Sequence, residues 1–175
     1  GGPKREVPSN HSSLNFFRFF YKGIIKREMF DQKEIPDNIP PDHLLTQEKV
    51  LEQFHANTDP ISITWLGHAA FLIKLGKELI LTDPFLLKTA GPLGIGPNRY
   101  VSAAIKISDL PEINTILISH NHYDHLDTTT LKKIKNKKNI TVICPLKLSK
   151  TFTSLGYKKV IELDWYDANK NNNFD

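Results

Sequence analysis

Between Ile61 and Asp167 the chain consists of short apolar runs with strand composition, and this pattern most limits the folds that it can adopt. Three early runs, ISITWLG, AAFLIKL and ELILTD, are rich in β-branched and aromatic residues and are punctuated by glycines, which predicts an antiparallel meander. The later part alternates strand and helix patterns in the order TILIS, TTTLKKIKN, ITVIC, LKLSKTFTSLG and KKVIELD. A meander followed by strand–helix–strand units predicts an α/β fold with one mixed sheet and helices on one of its faces.

The ends of these predicted elements carry capping residues. Asp127 precedes TTTLKKIKN and is predicted to be the N-cap of that helix, and Gly156 lies near the C-terminal end of the next helix. The first sixty residues have a different character, because prolines surround short helical patches such as HLLTQEKVLEQFH. We therefore expect residues 1–60 to form an N-terminal extension with short helices, and residues 61–175 to carry the folded domain.

The composition excludes several classes of protein. With 175 residues, of which 39% are hydrophobic and 24% charged, the chain has the size and composition of one globular domain, and it contains no apolar stretch long enough to cross a bilayer. The net charge of +4 is spread along the chain, so the sequence lacks the stripe of Lys and Arg that predicts specific nucleic-acid binding. The single cysteine, Cys144, lies in ITVIC and is predicted to be a buried strand thiol. No disulfide framework can form, and the compartment stays open.

The stretch SHNHYDHLD, residues 119–127, concentrates metal-binding side chains directly after a predicted strand. His120 and His122 are two residues apart, so in an extended backbone both imidazoles point the same way and can reach one cation. Asp124 continues this alternation, whereas His125 breaks it and suits a second cation nearby. Imidazole and carboxylate ligands without a thiolate favour zinc, and iron and manganese are also compatible. The stretch therefore predicts a site for two metal ions.

These residues also carry a family resemblance. HNHYDH resembles the first metal motif of the metallo-β-lactamase fold hydrolases. Within that superfamily, ITWLGHAAFLI, LTDPF, GPNRY and LPEINTILISHNHYDHLD together resemble the branch that contains N-acyl-phosphatidylethanolamine phospholipase D and its bacterial relatives. The resemblance runs from about Ile61 to Asp167, and it implies an αββα sandwich of which this chain supplies mainly the first mixed sheet with flanking helices.

The resemblance implies a role for each matching residue in the metal motif. His120 and His122 would bind the first of two Zn²⁺ ions. Asp124 and His125 would bind the second ion and act as the catalytic residues that hold the water nucleophile. Asp83, at the end of ELILTD, resembles the buried aspartate that lies behind the metal loop and hydrogen-bonds to it.

Two further residues are candidates on weaker grounds. His68, in WLGHAAF, stands where this branch also has a histidine near the metal pocket, although it could equally cap the turn between two strands. Arg99, in GPNRY, could bind a substrate phosphate as a bidentate donor, and a surface salt bridge is the alternative.

The resemblance also implies groups that this sequence does not contain. The superfamily completes its site with a later histidine for each metal and a bridging aspartate, and no histidine follows His125 here. The inner face of the sheet would also need a cover, because apolar surface contributes roughly 25 cal/mol per Å² when it is buried. We therefore expect the C-terminal half of the same fold, or another chain, to complete both the site and the core.

The expected function is hydrolysis of a phosphodiester of the N-acyl-phosphatidylethanolamine type, with phospholipase D-like products. The alternatives are a lactonase, thioesterase or nuclease on the same fold, and a non-catalytic half-domain that binds a partner. Residues 14–30, LNFFRFFYKGIIKREMF, combine aromatic and basic side chains, so they either contact a membrane surface peripherally or pack on the core.

Overall fold

The structure is a computed structural model that describes residues 40, 44–91 and 96–169. Elements are numbered within that part of the chain. The strands are β1 (Ile61–Gly67), β2 (Ala70–Leu75), β3 (Glu78–Thr82), β4 (Thr115–Leu117), β5 (Thr141–Pro145) and β6 (Lys159–Leu163). The α-helices are α1 (Gln47–Ala56), α2 (Thr128–Lys133) and α3 (Ser149–Ser154), and Ile107–Asp109 form one turn of 3₁₀-helix.

The described strands form one mixed sheet of six strands in the order β1-β2-β3-β4-β5-β6. Strands β1, β2 and β3 pair antiparallel, whereas β3 to β6 pair parallel through connections that contain α2 and α3. The structure thus confirms the α/β fold, the meander and the strand–helix–strand units that the hydrophobic pattern predicts. Each strand lies beside the next one along the chain, as short connections favour.

One face of the sheet builds the hydrophobic core. Its central side chains are almost inaccessible to water, and they are Leu66, Leu72, Leu81, Ile116 and Val142. Helix α2 contributes Leu131 to the same cluster and α3 contributes Phe152. Parallel crossovers are right-handed, so two consecutive crossovers that advance in one direction place both helices on the same face of the sheet. The predicted single layer of helices is consistent with this core.

The opposite face of the sheet is apolar as well, and it is open to solvent at β1. Ile61, Ile63 and Trp65 retain 66%, 67% and 63% of their accessible surface. Their partners on β2 are Leu75, Ile73 and Phe71, which are also apolar. A sheet with apolar side chains on both faces is typical of a sheet that is buried on both sides.

The carboxyl ends of five strands lie at one edge of the sheet. Strand β1 and strand β3 both run antiparallel to β2, and β4, β5 and β6 run parallel to β3. The turn after β1, the segment after β3 and the loop after β4 therefore meet at this carboxyl edge. In α/β sheets, ligands bind outside the carboxyl ends of the strands.

The predicted caps and the predicted thiol are confirmed. Asp127 is the N-cap of α2, and Gly156, with a φ of 98°, directly follows the C-cap of α3. Cys144 is 2% exposed in β5, and burial raises the pKa of its thiol to about 11, with a further contribution from the nearby Glu162 carboxylate. This thiol is a packed core side chain rather than a nucleophile.

The N-terminal predictions are only partly covered by the structure. Helix α1 confirms the helical patch HLLTQEKVLEQFH, and its Val50 belongs to the hydrophobic core. Residues 14–30 lie outside the described residues, so their membrane contact stays a prediction. In the part of the chain that the structure describes, no helix has the length and hydropathy required to span a membrane.

The cap of α2 yields a test of this fold. One Asp127 carboxylate oxygen accepts from Thr129 N at 3.0 Å and the other from Thr130 Oγ1 at 2.6 Å, and Thr130 Oγ1 accepts in turn from Leu86 N at 3.3 Å. We expect Asp127→Ala to lower the free energy of unfolding by about 1–3 kcal/mol, because it removes the cap and leaves a buried hydroxyl without its acceptor. Urea denaturation measures this change. The control, Asp127→Asn, keeps an N-cap and should cost less, so equal losses in the two variants would contradict this role.

Candidate metal centre

The loop after β4 carries the predicted metal ligands to the carboxyl edge of the sheet. The end of the strand is held by Ile118 N, which donates to Ile143 O at 3.0 Å. The loop then turns on the His122 carbonyl, which accepts from His125 N at 3.0 Å and from Leu126 N at 2.7 Å. Leu126 is 6% exposed and anchors the end of the loop in the core. The turn explains why His125 leaves the alternation that His120 and His122 follow.

His120 and His122 form one pair of donors. His120 Nε2 lies 3.1 Å from His122 Nδ1, and the two rings stand at 78° to each other. Two nitrogens on a tetrahedral zinc ion, each at about 2.0–2.1 Å from the metal, are roughly 3.3 Å apart. The pair therefore already has the nitrogen spacing of two ligands that share one ion.

Asp124, His125 and His68 form a second group of donors. Asp124 Oδ2 lies 3.0 Å from His68 Nε2 and 3.7 Å from His125 Nε2. One donor atom of each residue lies within 4.8 Å of the others, which is close enough for all three to reach one ion. The sequence analysis placed His68 near the pocket, and the structure brings it into direct contact with Asp124.

The two groups of donors adjoin each other. The ring centroids of His120 and His125 are 4.0 Å apart, and those of His68 and His125 are 5.1 Å apart. His125 thus lies between the pair and the remainder of the second group. Paired metal ions in hydrolases lie about 3.5–4 Å apart, which two adjoining groups of donors can accommodate.

Asp83 supports the loop from behind. It follows β3, is 6% exposed, and accepts hydrogen bonds on both oxygens: Oδ1 from Ser119 N at 2.8 Å, and Oδ2 from Ser119 Oγ at 2.6 Å. His125 Nδ1 also lies 2.9 Å from Asp83 Oδ2. An imidazole that donates Nδ1–H to a carboxylate presents Nε2 as its free lone pair. Asp83 therefore lies behind the loop and turns His125 Nε2 toward Asp124.

Ser119 is a functional residue that the sequence analysis missed. Its hydroxyl gives its one proton to Asp83, so in its 2.9 Å contact with His120 Nδ1 the imidazole must be the donor. His120 then presents Nε2, the nitrogen that faces His122. One buried carboxylate thus orients His125 directly and His120 through Ser119. The position of Ser119 immediately before the first histidine of the motif was its only signal in the sequence.

The surroundings of His120 disfavour its protonated form. Desolvation lowers its pKa below the ordinary value for histidine, and repulsion from His125 and His122 lowers the pKa further, against the opposing pull of Asp83 and Asp124. Neutral imidazole is the form that binds metals. Desolvation and the neighbouring histidines therefore both act against protonation, which competes with metal binding.

The Arg99 guanidinium is held by main-chain carbonyls and an aromatic ring. Its Nη2 donates to Leu66 O at 3.1 Å, its Nε donates to Val101 O at 3.1 Å, and its Nη1 donates to Phe85 O. The guanidinium also lies over the Phe85 ring, 5.1 Å from the centroid. Within the described residues, the partners of Arg99 are main-chain carbonyls and a ring. The contacts of Arg99 are therefore internal ones rather than the surface salt bridge that was the alternative expectation. Substrate binding by Arg99 stays a prediction.

The chain is similar to several known proteins. A family model for the beta-lactamase superfamily domain matches residues 62–172. The N-acyl-phosphatidylethanolamine-hydrolyzing phospholipase D 1 of Caenorhabditis elegans is 31% identical over 163 residues, which cover 89% of this chain and 44% of that protein. A metal-dependent hydrolase of Caldivirga maquilingensis is 33% identical over 87 residues, which cover 50% of this chain and 32% of that protein. The chain spans less than half the length of these curated relatives.

Among solved structures, CmlA, a diiron beta-hydroxylase from Streptomyces venezuelae, superposes with a TM-score of 0.45 at 28% identity. The superposition covers 62% of this chain and 21% of that chain.

The position of Asp83 makes a direct prediction about metal affinity. We expect Asp83→Ala to weaken metal binding by about 10- to 100-fold, because His125 and Ser119 lose the acceptor that orients the ligands. Competition with a chromophoric chelator measures the affinity. Asp109→Ala, in the 3₁₀ turn, removes a carboxylate outside the site and serves as the matched control. Unchanged affinity in Asp83→Ala would show that this carboxylate is only a turn residue.

Proposed function

This chain belongs to the β-lactamase superfamily, and on that premise we propose that it forms the metal centre of a hydrolase that uses two divalent ions. The observation that carries the proposal is that two groups of donors adjoin each other. The carboxylate of Asp83 lies behind both groups. A loop that only had to cap a strand would have no need for imidazole nitrogens at metal-ligand spacing.

The donors favour zinc as the native metal. The two groups contain imidazoles and one carboxylate, and the thiol of Cys144 is buried in β5 away from them. Zinc binds such nitrogen and oxygen sets readily, and iron or manganese would be accepted by the same ligands. In this proposal His120 and His122 hold one ion, and Asp124 and His125 hold the other. His68 Nε2, at 3.0 Å from Asp124, lies within reach of the second ion.

Each side chain of the site has a separate role in the proposed reaction. Two divalent ions at these groups would lower the pKa of a shared water and stabilise negative charge that develops on the substrate. Asp83 keeps the proton of His125 on Nδ1, and Ser119 keeps that of His120 on Nδ1, so both imidazoles stay aligned. Asp124 adds a negative charge at the second group and is itself held by His68. The chain thus supplies a prearranged site that needs little reorganisation during the reaction.

We propose a phosphodiester lipid of the N-acyl-phosphatidylethanolamine type as substrate. Support comes from the relative of that activity in Caenorhabditis elegans, which aligns with 89% of this chain. Attack of water on phosphorus would break the bond to the ethanolamine oxygen, and the products would be a phosphatidic acid and an N-acylethanolamine.

In the same proposal, groups from outside residues 1–175 complete the site and cover the open face of the sheet. The apolar side chains Ile61, Ile63 and Trp65 on that face support this, because exposed apolar surface of such an extent favours burial against another layer. The aligned relatives are also more than twice as long as the aligned region. A C-terminal half of the same fold, or another chain, would fulfil this role.

The first test of this function removes one ligand. We expect His122→Ala to lose one metal equivalent and to reduce hydrolysis by more than about 100-fold. Residues that only hydrogen-bond to metal ligands typically change activity by about 10- to 100-fold when they are mutated, and loss of a ligand itself should have a larger effect. Elemental analysis gives the metal content, and release of N-acylethanolamine gives the activity. His55→Ala, in α1, is the matched control. Full activity after the loss of one ion would contradict a two-metal mechanism.

A second test concerns the bond that is broken. When the reaction is run in ¹⁸O-labelled water, we expect one label in the phosphate of the phosphatidic acid and none in the N-acylethanolamine, because water attacks phosphorus. Mass spectrometry of both products locates the label. Label in the alcohol product would place the attack on carbon. If the protein hydrolyses lactones or thioesters but leaves the phosphodiester lipid intact, the proposed substrate is wrong, whereas the proposed metal centre is not contradicted.

A further inference from the structure

Two segments of the metal centre come from strands that are not neighbours. Strand β1 ends at Gly67 and His68 begins the turn that follows it, and Asp83 to Phe85 follow β3, while β2 lies between these strands in the sheet. Among the described residues, no main-chain hydrogen bond of the sheet joins the two segments directly, and Thr82 Oγ1, at the end of β3, donates to Ala69 O in the turn at 3.0 Å. Both segments have unusual backbones, since φ is 54° at His68 and 35° at Asp83. Positive φ at residues other than glycine costs energy and persists only where surrounding contacts hold it.

The Arg99 guanidinium connects the two segments. One terminal nitrogen donates to Leu66 O, next to the His68 turn, and the other donates to Phe85 O, next to Asp83. The Phe85 ring, which the guanidinium covers, meets the His68 ring edge-on at 6.2 Å between centroids. A planar guanidinium offers its N–H groups in a fixed fork, so it sets a defined distance between two acceptors.

The loop that carries Arg99 is itself anchored. Arg99 N donates to Lys88 O at 2.8 Å, and Ala90 N donates to Pro97 O at 2.9 Å, so two short segments of the loop pair with each other. Thr89 Oγ1 donates to Asn98 Oδ1 at 2.6 Å and reinforces this pairing. The Arg99 side chain thus extends from a fixed base.

Gly67 leaves room for this contact. A Cβ atom at Gly67 would lie 2.0 Å from Arg99 Nη2 and 3.3 Å from Arg99 Cζ. Gly76, in the turn between β2 and β3, also has a positive φ, but a Cβ there would meet nothing within 4 Å. Glycine at position 67 therefore allows the guanidinium to come close and also allows the positive φ, whereas glycine at position 76 allows only the positive φ of its turn.

We propose that Arg99 is a positioning residue of the metal centre, which fixes the His68 turn relative to the Asp83 segment. By holding the carbonyls of Leu66 and Phe85 on one rigid cation, it keeps His68 against Asp124 and Asp83 against His125. It acts through these residues and contacts neither metal nor substrate. This inference rests on the proposed metal-dependent function and gives Arg99 a role different from substrate binding.

The experiment compares Arg99→Lys with Gly67→Ala in the purified protein. Lysine keeps the charge but cannot hold two carbonyls in a fixed geometry, and alanine at position 67 displaces the guanidinium. The readouts are the affinity for zinc by chelator competition, the visible spectrum of the cobalt-substituted protein, and thermal unfolding. We expect both variants to bind zinc at least about 10-fold more weakly, which is the effect typical of residues that hydrogen-bond to metal ligands. We also expect the spectrum of the cobalt-substituted protein to change. A third variant, Arg99→Ala, removes the guanidinium altogether, and added guanidinium at millimolar concentration should restore part of its zinc affinity.

Two controls separate positioning from general destabilisation. Gly76→Ala imposes a similar backbone strain where no side chain is displaced. Tyr157→Phe removes the buried hydrogen bond from Tyr157 Oη to Leu131 O in α2, a bond that involves none of the metal-binding side chains. We expect both controls to lower the thermal midpoint but to keep the zinc affinity and the cobalt spectrum of the unchanged protein.

The outcomes that overturn the inference are distinct. If Arg99→Lys keeps the zinc affinity and cobalt spectrum while KM for the lipid rises, Arg99 binds substrate and the positioning role is wrong. If the two controls lose zinc affinity as strongly as Arg99→Lys, its effect is only structural and the role is again wrong. If the unchanged protein binds no metal, the proposed function fails and this inference fails with it.

Discussion

The arrangement of the candidate metal ligands depends on one buried carboxylate. Asp83 leaves β3 where the parallel strand β4 ends beside it, so its two oxygens reach the main chain and hydroxyl of Ser119 and the ring of His125. A buried carboxylate is costly to desolvate, and here three donors compensate for that cost. The same three bonds fix the start of the loop and the orientation of two imidazoles. Parallel pairing of β3 with β4 thus becomes a geometric requirement of the site, because it brings Asp83 under the loop.

The fold and part of the site follow from local patterns in the sequence. Short runs of β-branched and aromatic residues, punctuated by glycines, locate the strands. Asp127 marks the start of α2 because its cap involves only the residues that follow it. The spacing of His120 and His122 is also a local property, since two side chains two residues apart share one direction. Contacts of this kind depend on neighbours in the chain, so the sequence contains the information needed to predict them.

Other parts of the site depend on contacts between distant residues. His68 and Asp124 are 56 residues apart, and only the closure of the sheet brings them within 3.0 Å. Ser119 acts through one hydroxyl, which follows no periodic pattern. Arg99 binds main-chain carbonyls, and because every residue has a carbonyl, no residue type signals the partner of such a contact. The sequence therefore could not indicate the carbonyl contacts of Arg99, and its binding of a substrate phosphate stays a prediction.

The proposed function links these contacts to the open face of the sheet. In that proposal, further layers of the fold would cover the apolar side chains of β1, while the donors that the described residues supply already lie within reach of one another. Alignment before the remaining ligands arrive would let metal binding contribute to assembly of the complete domain.

The most direct test is anomalous X-ray scattering at the zinc absorption edge from crystals of the zinc-loaded protein. The account predicts two peaks about 3.5–4 Å apart, one in contact with His120 Nε2 and His122 Nδ1 and the other in contact with Asp124 Oδ2 and His125 Nε2. A single peak shared by all four side chains, or no peak at the carboxyl edge of the sheet, would contradict it.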